Sequence, residues 1–294
     1  MTEEASRSAG ELARHLGVPI TTLRTWDRRY GLGPDGHEPG RHRRYGKQDQ
    51  ARVERMRQLV ADGVAPSHAA RRALGEAGAP EDVEATDRVP GGSRDEERSY
   101  ASRSRALRRA ALALDPGQLD HILGPSVVEG VVPAWTRVIC PAMRHIGERN
   151  DATGHYVDTE HMLSAAVTAA LARVARPSTR PNILLACVPE EQHALPLEAL
   201  AAALAEVGQS CLTLGARVPV TALTDAISRT GPDAVVLWAH LPVGQDPLDA
   251  VLSARPRPAV IAACGPGWPT TDLVPSILRP TSLRQAVALL APDG

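Results

Sequence analysis

The 294 residues of this chain are enough for two or three domains, each with its own hydrophobic core. The net charge of −1 excludes a protein that attracts nucleic acid through bulk positive charge alone. The charges are unevenly placed, however, since residues 1–75 hold 14 Lys and Arg against 9 Asp and Glu, and the remainder holds 19 against 25. A basic N-terminal part on an acidic body predicts a DNA-binding module joined to a module of another kind.

The cysteines and the hydropathy pattern exclude two further classes of protein. Cys140, Cys187, Cys211 and Cys264 lie far apart and form no C-x-x-C pair, which argues against a zinc knuckle or a disulfide framework and for a reducing compartment. The sequence shows no signal peptide and no apolar run long enough to cross a bilayer. We therefore expect a cytoplasmic protein without a membrane partner.

The first predicted elements are two short helices. Residues 8–16 have an amphipathic pattern that Gly17 ends, and a second helix is expected to begin with Thr21 or Thr22 as its cap. The apolar residues of this second helix share one face because they recur at spacings of three and four: Leu23, Trp26 and Tyr30. A Gly/Pro-rich turn then ends the helix.

A compact basic cluster follows this turn. Residues 41–45 read RHRRY and place three guanidinium groups within five residues. Two helices followed by a basic loop are typical of a winged helix-turn-helix, in which one helix enters the major groove and the wing contacts phosphates. The side chains that we predict to contact DNA are Thr22, Arg24, Arg28, Arg41, Arg43, Arg44 and Tyr45. The alternative is a solvated basic helix on an ordinary domain.

The residues of this region carry a specific resemblance. ELARHLGVPITTLRTWDRRYGL followed by GRHRRY resembles the DNA-binding head of the MerR family of transcription regulators, with Asp27 where the family pattern has Glu. The resemblance covers about the first quarter of the chain. It implies that the partners are double-stranded DNA with a palindromic operator and a second copy of the chain, because two-fold protein symmetry mirrors a palindrome. A tetramer and contact with RNA polymerase are further implications.

The middle of the chain is predicted to be helical after a linker. Helices over 49–64 and 66–74 complete the DNA-binding domain, which we place at residues 1–75. Residues 76–98 are acidic, rich in Pro and Gly and poor in large apolar groups, which predicts a linker. Residues 99–178 are predicted to form a four-helix bundle. Its helices are expected over 100–114, from 117 onward, over 131–149 and over 158–174.

Residues 179–294 alternate between short apolar runs and helical patterns. The runs of strand length are 183–188, 211–214, 234–238, 260–263 and 276–278, and the helices between and after them are 196–207, 220–228, 246–254 and 282–290. Strands that alternate with helices predict a Rossmann-like, doubly wound parallel sheet. The predicted fold class is therefore multidomain, all-α followed by α/β.

Ligands of such sheets bind beyond the carboxyl ends of the strands. The loop after the first strand reads PEEQHALP, in which His193 could offer a ring nitrogen to a metal while Glu191 accepts the other ring N–H. The alternative for a single loop histidine is a solvated surface group. Gly215 and Gly265 follow two other strands, and we expect them to leave space for a flat ligand near the backbone. No pattern combines a nucleophile with a base, so catalysis is not predicted.

The order of the predicted domains carries a second resemblance. A MerR-type head, a helical bundle and a Rossmann-like domain together resemble the light-responsive, cobalamin-dependent CarH-like regulators. In that group a D/E-x-H-x-x-G loop and a W-x9-E-H segment bind the cofactor, and this chain has Glu191, His193, Glu160 and His161 at the matching positions. The resemblance implies adenosylcobalamin as the cofactor. It places His193 below cobalt as its axial ligand and Glu160 and His161 above it, with light breaking the cobalt–carbon bond.

Four positions depart from the CarH-like pattern. Asn150 replaces the Trp of the bundle motif, Pro196 replaces the Gly of the histidine loop, Trp238 stands where the segment after the third strand is small, and Cys264 replaces a Gly. These changes predict a cobalamin pocket that is altered or no longer used. Two alternatives follow: a regulator of the same fold that responds to another ligand or partner, and a corrinoid carrier or methyl-transfer protein.

Overall fold

The structure is a computed structural model that describes residues 6–34, 44–61, 69–70, 73–74, 93–269 and 274–291. The chain divides into two compact units, residues 1–81 with 144–157, and residues 82–143 with 158–294. None of the helices within these described ranges is long and apolar enough to span a membrane.

The first unit contains the N-terminal head. Its elements are β1 (Arg7–Ser8), α1 (Ala9–Leu16), α2 (Ile20–Tyr30), β2 (Arg44–Tyr45) and α3 (Lys47–Ala61), and residues 69–70 and 73–74 are also helical. Ser8 caps α1 in a capping box with Glu11, and the two strands pair antiparallel. Leu12, Leu23 and Met56 are buried in the core of this head.

The predicted cap of α2 is wrong. The helix begins at Ile20 with Pro19 at the capping position, and Thr21 and Thr22 lie in its first turn. The Pro19 carbonyl accepts the amide of Thr22 at 3.0 Å, so the backbone already turns before either threonine could act as a cap. Proline suits this position because its fixed φ leads into the helix and its missing N–H is not needed there.

Helices continue through the middle of the chain. They are α4 (Arg94–Leu112), α5 (Pro116–Val128), α6 (Val131–Pro133), a π-helical segment (Ala134–Ile139), α7 (Cys140–Thr153) and α8 (Val157–Ala172). Leu107, Leu119 and Val138 are fully buried, each at 0 % exposure. The predicted linker is wrong in its last five residues, because α4 already begins at Arg94 with Ser93 as its cap. Acidic residues in the first turn favour this start, since they face the positive end of the helix dipole.

The second unit ends in a five-stranded parallel sheet. The strands β3 (Ile183–Cys187), β4 (Cys211–Gly215), β5 (Ala234–Trp238), β6 (Val260–Cys264) and β7 (Ile277–Leu278) are ordered β4-β3-β5-β6-β7. The helices that alternate with them are α9 (Leu195–Glu206), α10 (Val220–Thr230), α11 (Asp246–Ser253) and α12 (Leu283–Leu290). The prediction of a doubly wound parallel sheet is confirmed.

The two faces of this sheet have separate cores. Strand residues on one face pack with α9 and α12, and those on the other face pack with α10 and α11. The far end of α9 is tied to the helical region, because Glu206 accepts hydrogen bonds from the amide of Val131 at 3.0 and 3.1 Å. The Thr168 hydroxyl of α8 also donates to Glu198 of α9 at 2.7 Å. Helix α9 is thus fixed at both its first and its last turns.

Candidate functional site

Two regions carry predicted site residues, and the first is the surface of α2. Arg24 and Arg28 lie one turn apart on this helix, and both are exposed. Arg44 is exposed in β2, and its guanidinium donates to the hydroxyl and carbonyl of Ser6 at 2.9 and 3.0 Å. The predicted contacts Arg41 and Arg43 lie outside the described residues. Three of the predicted cations are therefore presented to solvent on the head.

Two predicted DNA contacts are buried instead. Tyr45 is only 2 % exposed and packs in the core of the head, and Thr22 is 8 % exposed. A side chain in this position cannot reach a phosphate without leaving the core, so we correct both predictions. The aromatic ring of Tyr45 holds β2 against the helices, which is a structural function.

The second region is the carboxyl edge of the parallel sheet, where the Glu191 carboxylate connects the loops after β3 and β5. One of its oxygens accepts the His193 amide at 2.7 Å and lies 2.6 Å from His193 Nδ1. The other oxygen accepts the amides of His240 at 2.6 Å and Leu241 at 3.0 Å. The Glu191 carbonyl also accepts the Arg217 amide of the loop after β4 at 2.8 Å. One buried residue therefore holds three loops together.

The charge of Glu191 follows from these contacts. Burial raises the pKa of the carboxyl, but the hydrogen bonds from His193, Leu241 and His240 outweigh it and lower the pKa to about 2. An ionised carboxylate only accepts hydrogen bonds, so His193 Nδ1 must bear the proton toward it. Nε2 is then the ring nitrogen available to a metal, and the His193 side chain is 44 % exposed.

This pKa predicts a pH dependence of stability. Because the folded-state pKa is lowered, Glu191 stabilises the fold above about pH 4.5 and loses that contribution as the pH falls toward about 2, by at most about 3 kcal/mol. We expect the difference in unfolding free energy between the wild type and Glu191→Gln to shrink between about pH 5 and about pH 2.5 in urea unfolding. A difference that is the same at both pH values would contradict the prediction.

Sequence reasoning did not select His240 as a site residue. Its ring centroid lies 4.7 Å from that of His193, with the ring planes tilted by 51°. The signal available in the sequence was that His240 follows β5, the strand that neighbours β3 in the sheet. Among the described residues, no group of three or more His, Cys, Asp or Glu side chains could hold a metal ion. A metal bound here would therefore have to bring most of its ligands with it.

The two glycines differ in the space around them, and only Gly215 agrees with the expected open space. Gly215 has φ +81°, and a Cβ added there would meet nothing within 4 Å, so it leaves open space. At Gly265, with φ +96°, a Cβ would collide with the Ala239 carbonyl. Gly265 is therefore required by the close approach of the loops after β6 and β5, and it does not provide space for a ligand.

Substituting this glycine tests the packing of the two loops. We expect Gly265→Ala to lower the unfolding free energy of the Rossmann-like domain by about 2–4 kcal/mol, because it adds a steric clash to an unfavourable φ. Gly244→Ala is the matched control, since a Cβ there meets nothing within 4 Å. Equal losses for the two variants in thermal unfolding would show that the close approach is unimportant.

The two residues predicted to lie above the cobalt are on helix α8. Glu160 and His161 are in the first turns of α8, with Glu160 half-buried and His161 exposed. Neither is among the four hydrogen-bond partners described for the Glu191 carboxylate and its carbonyl. Their proximity to a ligand stays a prediction.

Below the His193 loop, three side chains form a row across the sheet. Cys187 pairs with Trp238, and Trp238 pairs with Cys264, so the last residues of β3, β5 and β6 are neighbours on one face. All three pack in the core between the sheet and helices α9 and α12. Burial raises the pKa of both the Cys187 and the Cys264 thiols to about 12, so they are neutral and poor metal ligands. We call these residues the Cys187–Trp238–Cys264 row.

Comparisons with known proteins find relatives of the head and of the chain as a whole. Residues 7–74 match the MerR HTH family of regulatory proteins. The HTH-type transcriptional repressor CarH of Myxococcus xanthus is 32 % identical over 216 residues, which are 72 % of this chain and 70 % of CarH. The chain belongs to the CarH-like MerR-type transcription regulators. The repressor CarA of the same organism is 28 % identical over 215 residues, 71 % of this chain and 67 % of CarA.

A solved structure resembles the body of this MerR-type regulator. The monomethylamine corrinoid protein of Methanosarcina barkeri superposes with a TM-score of 0.51 at 12 % identity, covering 67 % of this chain and 98 % of that protein. At this identity the similarity concerns the fold alone. The body of the regulator thus has a cobalamin-binding-like fold, and its homologues are regulators of transcription.

Proposed function

We propose that this MerR-type regulator binds a palindromic operator as a homodimer, with Arg24 and Arg28 of α2 in the major groove and Arg44 on a phosphate. The observation that supports it is the exposed pair Arg24 and Arg28 on the second helix of a MerR-type head. Guanidinium groups on a helix bind guanine edges or phosphates, and a two-fold dimer places two such helices on two half-sites. The acidic body then repels DNA, which restricts binding to the head.

The DNA-binding part is tested without knowledge of the operator. Duplexes selected by the protein from a random library give a binding site, and fluorescence anisotropy then measures the affinity for it between about 0.05 and 0.2 M salt. We expect an inverted repeat and an affinity that falls steeply with salt, because counterions are released from the DNA. Selection of no sequence, together with binding that does not depend on salt, would refute the proposal.

We further propose that the Rossmann-like domain binds a corrinoid, with His193 Nε2 as the ligand of its cobalt. The Glu191 carboxylate fixes the tautomer through Nδ1 and makes the ring a stronger donor. A bound alkylcorrinoid would supply a light-sensitive cobalt–carbon bond. His193 would supply a nitrogen ligand oriented by Glu191, and Gly215 would leave open space near the backbone.

The residues fit one part of the cofactor and not another. The exposed His193 imidazole with its buried carboxylate partner suits a metal held in a planar macrocycle. The Cys187–Trp238–Cys264 row at the ends of the strands does not suit a second large group at this edge, because Cys187 and Cys264 are buried and Trp238 packs against the same core. Gel filtration of the protein mixed with a corrinoid in the dark, followed by absorption spectra before and after illumination, tests the site. A spectrum unchanged by His193→Ala would exclude this residue as the ligand.

A further inference from the structure

We infer that the Rossmann-like domain selects corrinoids without a nucleotide tail and excludes cobalamins, because Trp238 occupies the space that a tail needs. The inference rests on the proposed corrinoid site at His193.

The position of Trp238 is fixed by the sheet. Trp238 is the last residue of β5 and lies between Cys187 and Cys264, which end the two neighbouring strands. Glu191 joins the His193 loop to the loop that begins just after Trp238. His193 and Trp238 therefore lie at the same edge of the sheet, where the Glu191 carboxylate connects the two loops.

Trp238 is half-buried, and its neighbours on the side of the domain core are closely packed. Cys187 is 1 % and Cys264 is 6 % exposed, and the residues of α9 that face them, Leu197 and Leu200, are 1 % and 3 % exposed. Trp238 Nε1 is buried and has no hydrogen-bond partner among the described residues. The indole N–H thus forgoes a hydrogen bond while the ring packs against apolar side chains. Apolar packing therefore outweighs the lost hydrogen bond at this position.

Cobalamins have a bulky group on the lower side of the corrin ring. Cobalamins bear a ribonucleotide that is tethered to the lower side of the corrin ring and ends in a dimethylbenzimidazole. When a protein imidazole takes the lower position on cobalt, this base must leave the metal and stay on the side of that imidazole. The indole of Trp238 is a fused five- and six-membered ring, the same size as the bicyclic core of that base. One place at this edge cannot hold both rings.

Placing the nucleotide base beside Trp238 would disrupt the packing of the domain. Even one or two extra methylene groups strain a packed core, so a whole bicyclic base would demand displacement of α9 or of the strand ends. Cobinamides have the same ring and cobalt but lack the nucleotide, so they avoid this cost. We expect the wild-type protein to bind diaquocobinamide at least about 100-fold more tightly than aquocobalamin.

Absorbance titrations of the full chain with diaquocobinamide and with aquocobalamin in the dark test the inference. The wild-type ratio of affinities decides it alone, so the result does not depend on whether a variant folds. Trp238→Ser should bring the ratio close to one, whereas Trp238→Phe, which keeps an aromatic ring, should retain most of it. His193→Ala should abolish the imidazole-ligated spectrum with either compound.

The outcomes separate the inference from the proposed function. Equal affinity of the wild type for both compounds, with a spectrum that depends on His193, overturns the tail exclusion and leaves the corrinoid site standing. A ratio that Trp238→Ser leaves unchanged in a folded protein overturns the assignment to Trp238. Binding of neither compound overturns the corrinoid site and the inference with it, while the operator-binding measurement remains independent.

Discussion

Replacing Arg24 and Arg28 together with alanine should weaken binding to a selected operator duplex by about 100-fold at about 0.1 M salt. Both guanidinium groups are exposed on α2, so their loss removes contacts to DNA and leaves the core of the head intact. The slope of affinity against salt concentration should also become shallower, by about one unit for each phosphate contact that is lost. Fluorescence anisotropy at several salt concentrations measures both effects.

A matched control removes the same charge elsewhere. Arg98 and Arg105 are exposed on α4, and the Arg98 side chain is 81 % exposed. The double variant Arg98→Ala, Arg105→Ala should retain operator affinity to within a few-fold, because only long-range attraction is lost and salt screens it. Comparable losses in both double variants would show that α2 has no special contact with DNA.

The second large effect is expected at the sheet edge, where Glu191→Gln should lower the unfolding free energy of the Rossmann-like domain by about 2–4 kcal/mol. The neutral amide loses the charge-assisted bonds to three backbone amides and to His193 Nδ1. Its NH2 group would also point at an amide donor in a site that is only 2 % exposed. Hydrogen-exchange mass spectrometry should report faster exchange in the loops after β3 and β5.

Glu190→Gln provides the control one residue away. The Glu190 side chain is 82 % exposed and pairs with Arg217 at 2.6 Å, so its charge is screened by water. We expect a change within about 0.5 kcal/mol and unaltered exchange in the loop after β5. If the two Gln variants behave alike, the connection between the loops does not depend on the buried carboxylate.

Local patterns in the sequence located most of the regular structure. The strand prediction at 234–238 coincides with β5, and the amphipathic pattern over 8–16, ended by Gly17, corresponds to α1 with Ser8 as its cap. Errors occurred where two local signals compete. Pro19 starts α2 before the threonines, and the acidic residues after Ser93 read as a linker although they also suit the first turn of a helix.

The candidate site depends on contacts that no local pattern contains. The Glu191 and His193 pair lies within three residues and was predicted from that spacing. The Glu191 carboxylate accepts hydrogen bonds from the amides of His240 and Leu241, which are 49 and 50 residues away in the sequence. The chain brings these positions together only when β3 and β5 pair. The Tyr45 ring was misjudged for the same reason, because its burial requires both helices of the head.

Helix α9 connects the histidine loop with the first residue of α6. It starts two residues after His193 and ends at Glu206, whose carboxylate holds the first amide of α6. Its 12 residues form a stiff rod about 18 Å long, since each residue advances the axis by about 1.5 Å. A displacement of the histidine loop would therefore act along this helix on the hydrogen bonds between Glu206 and the start of α6.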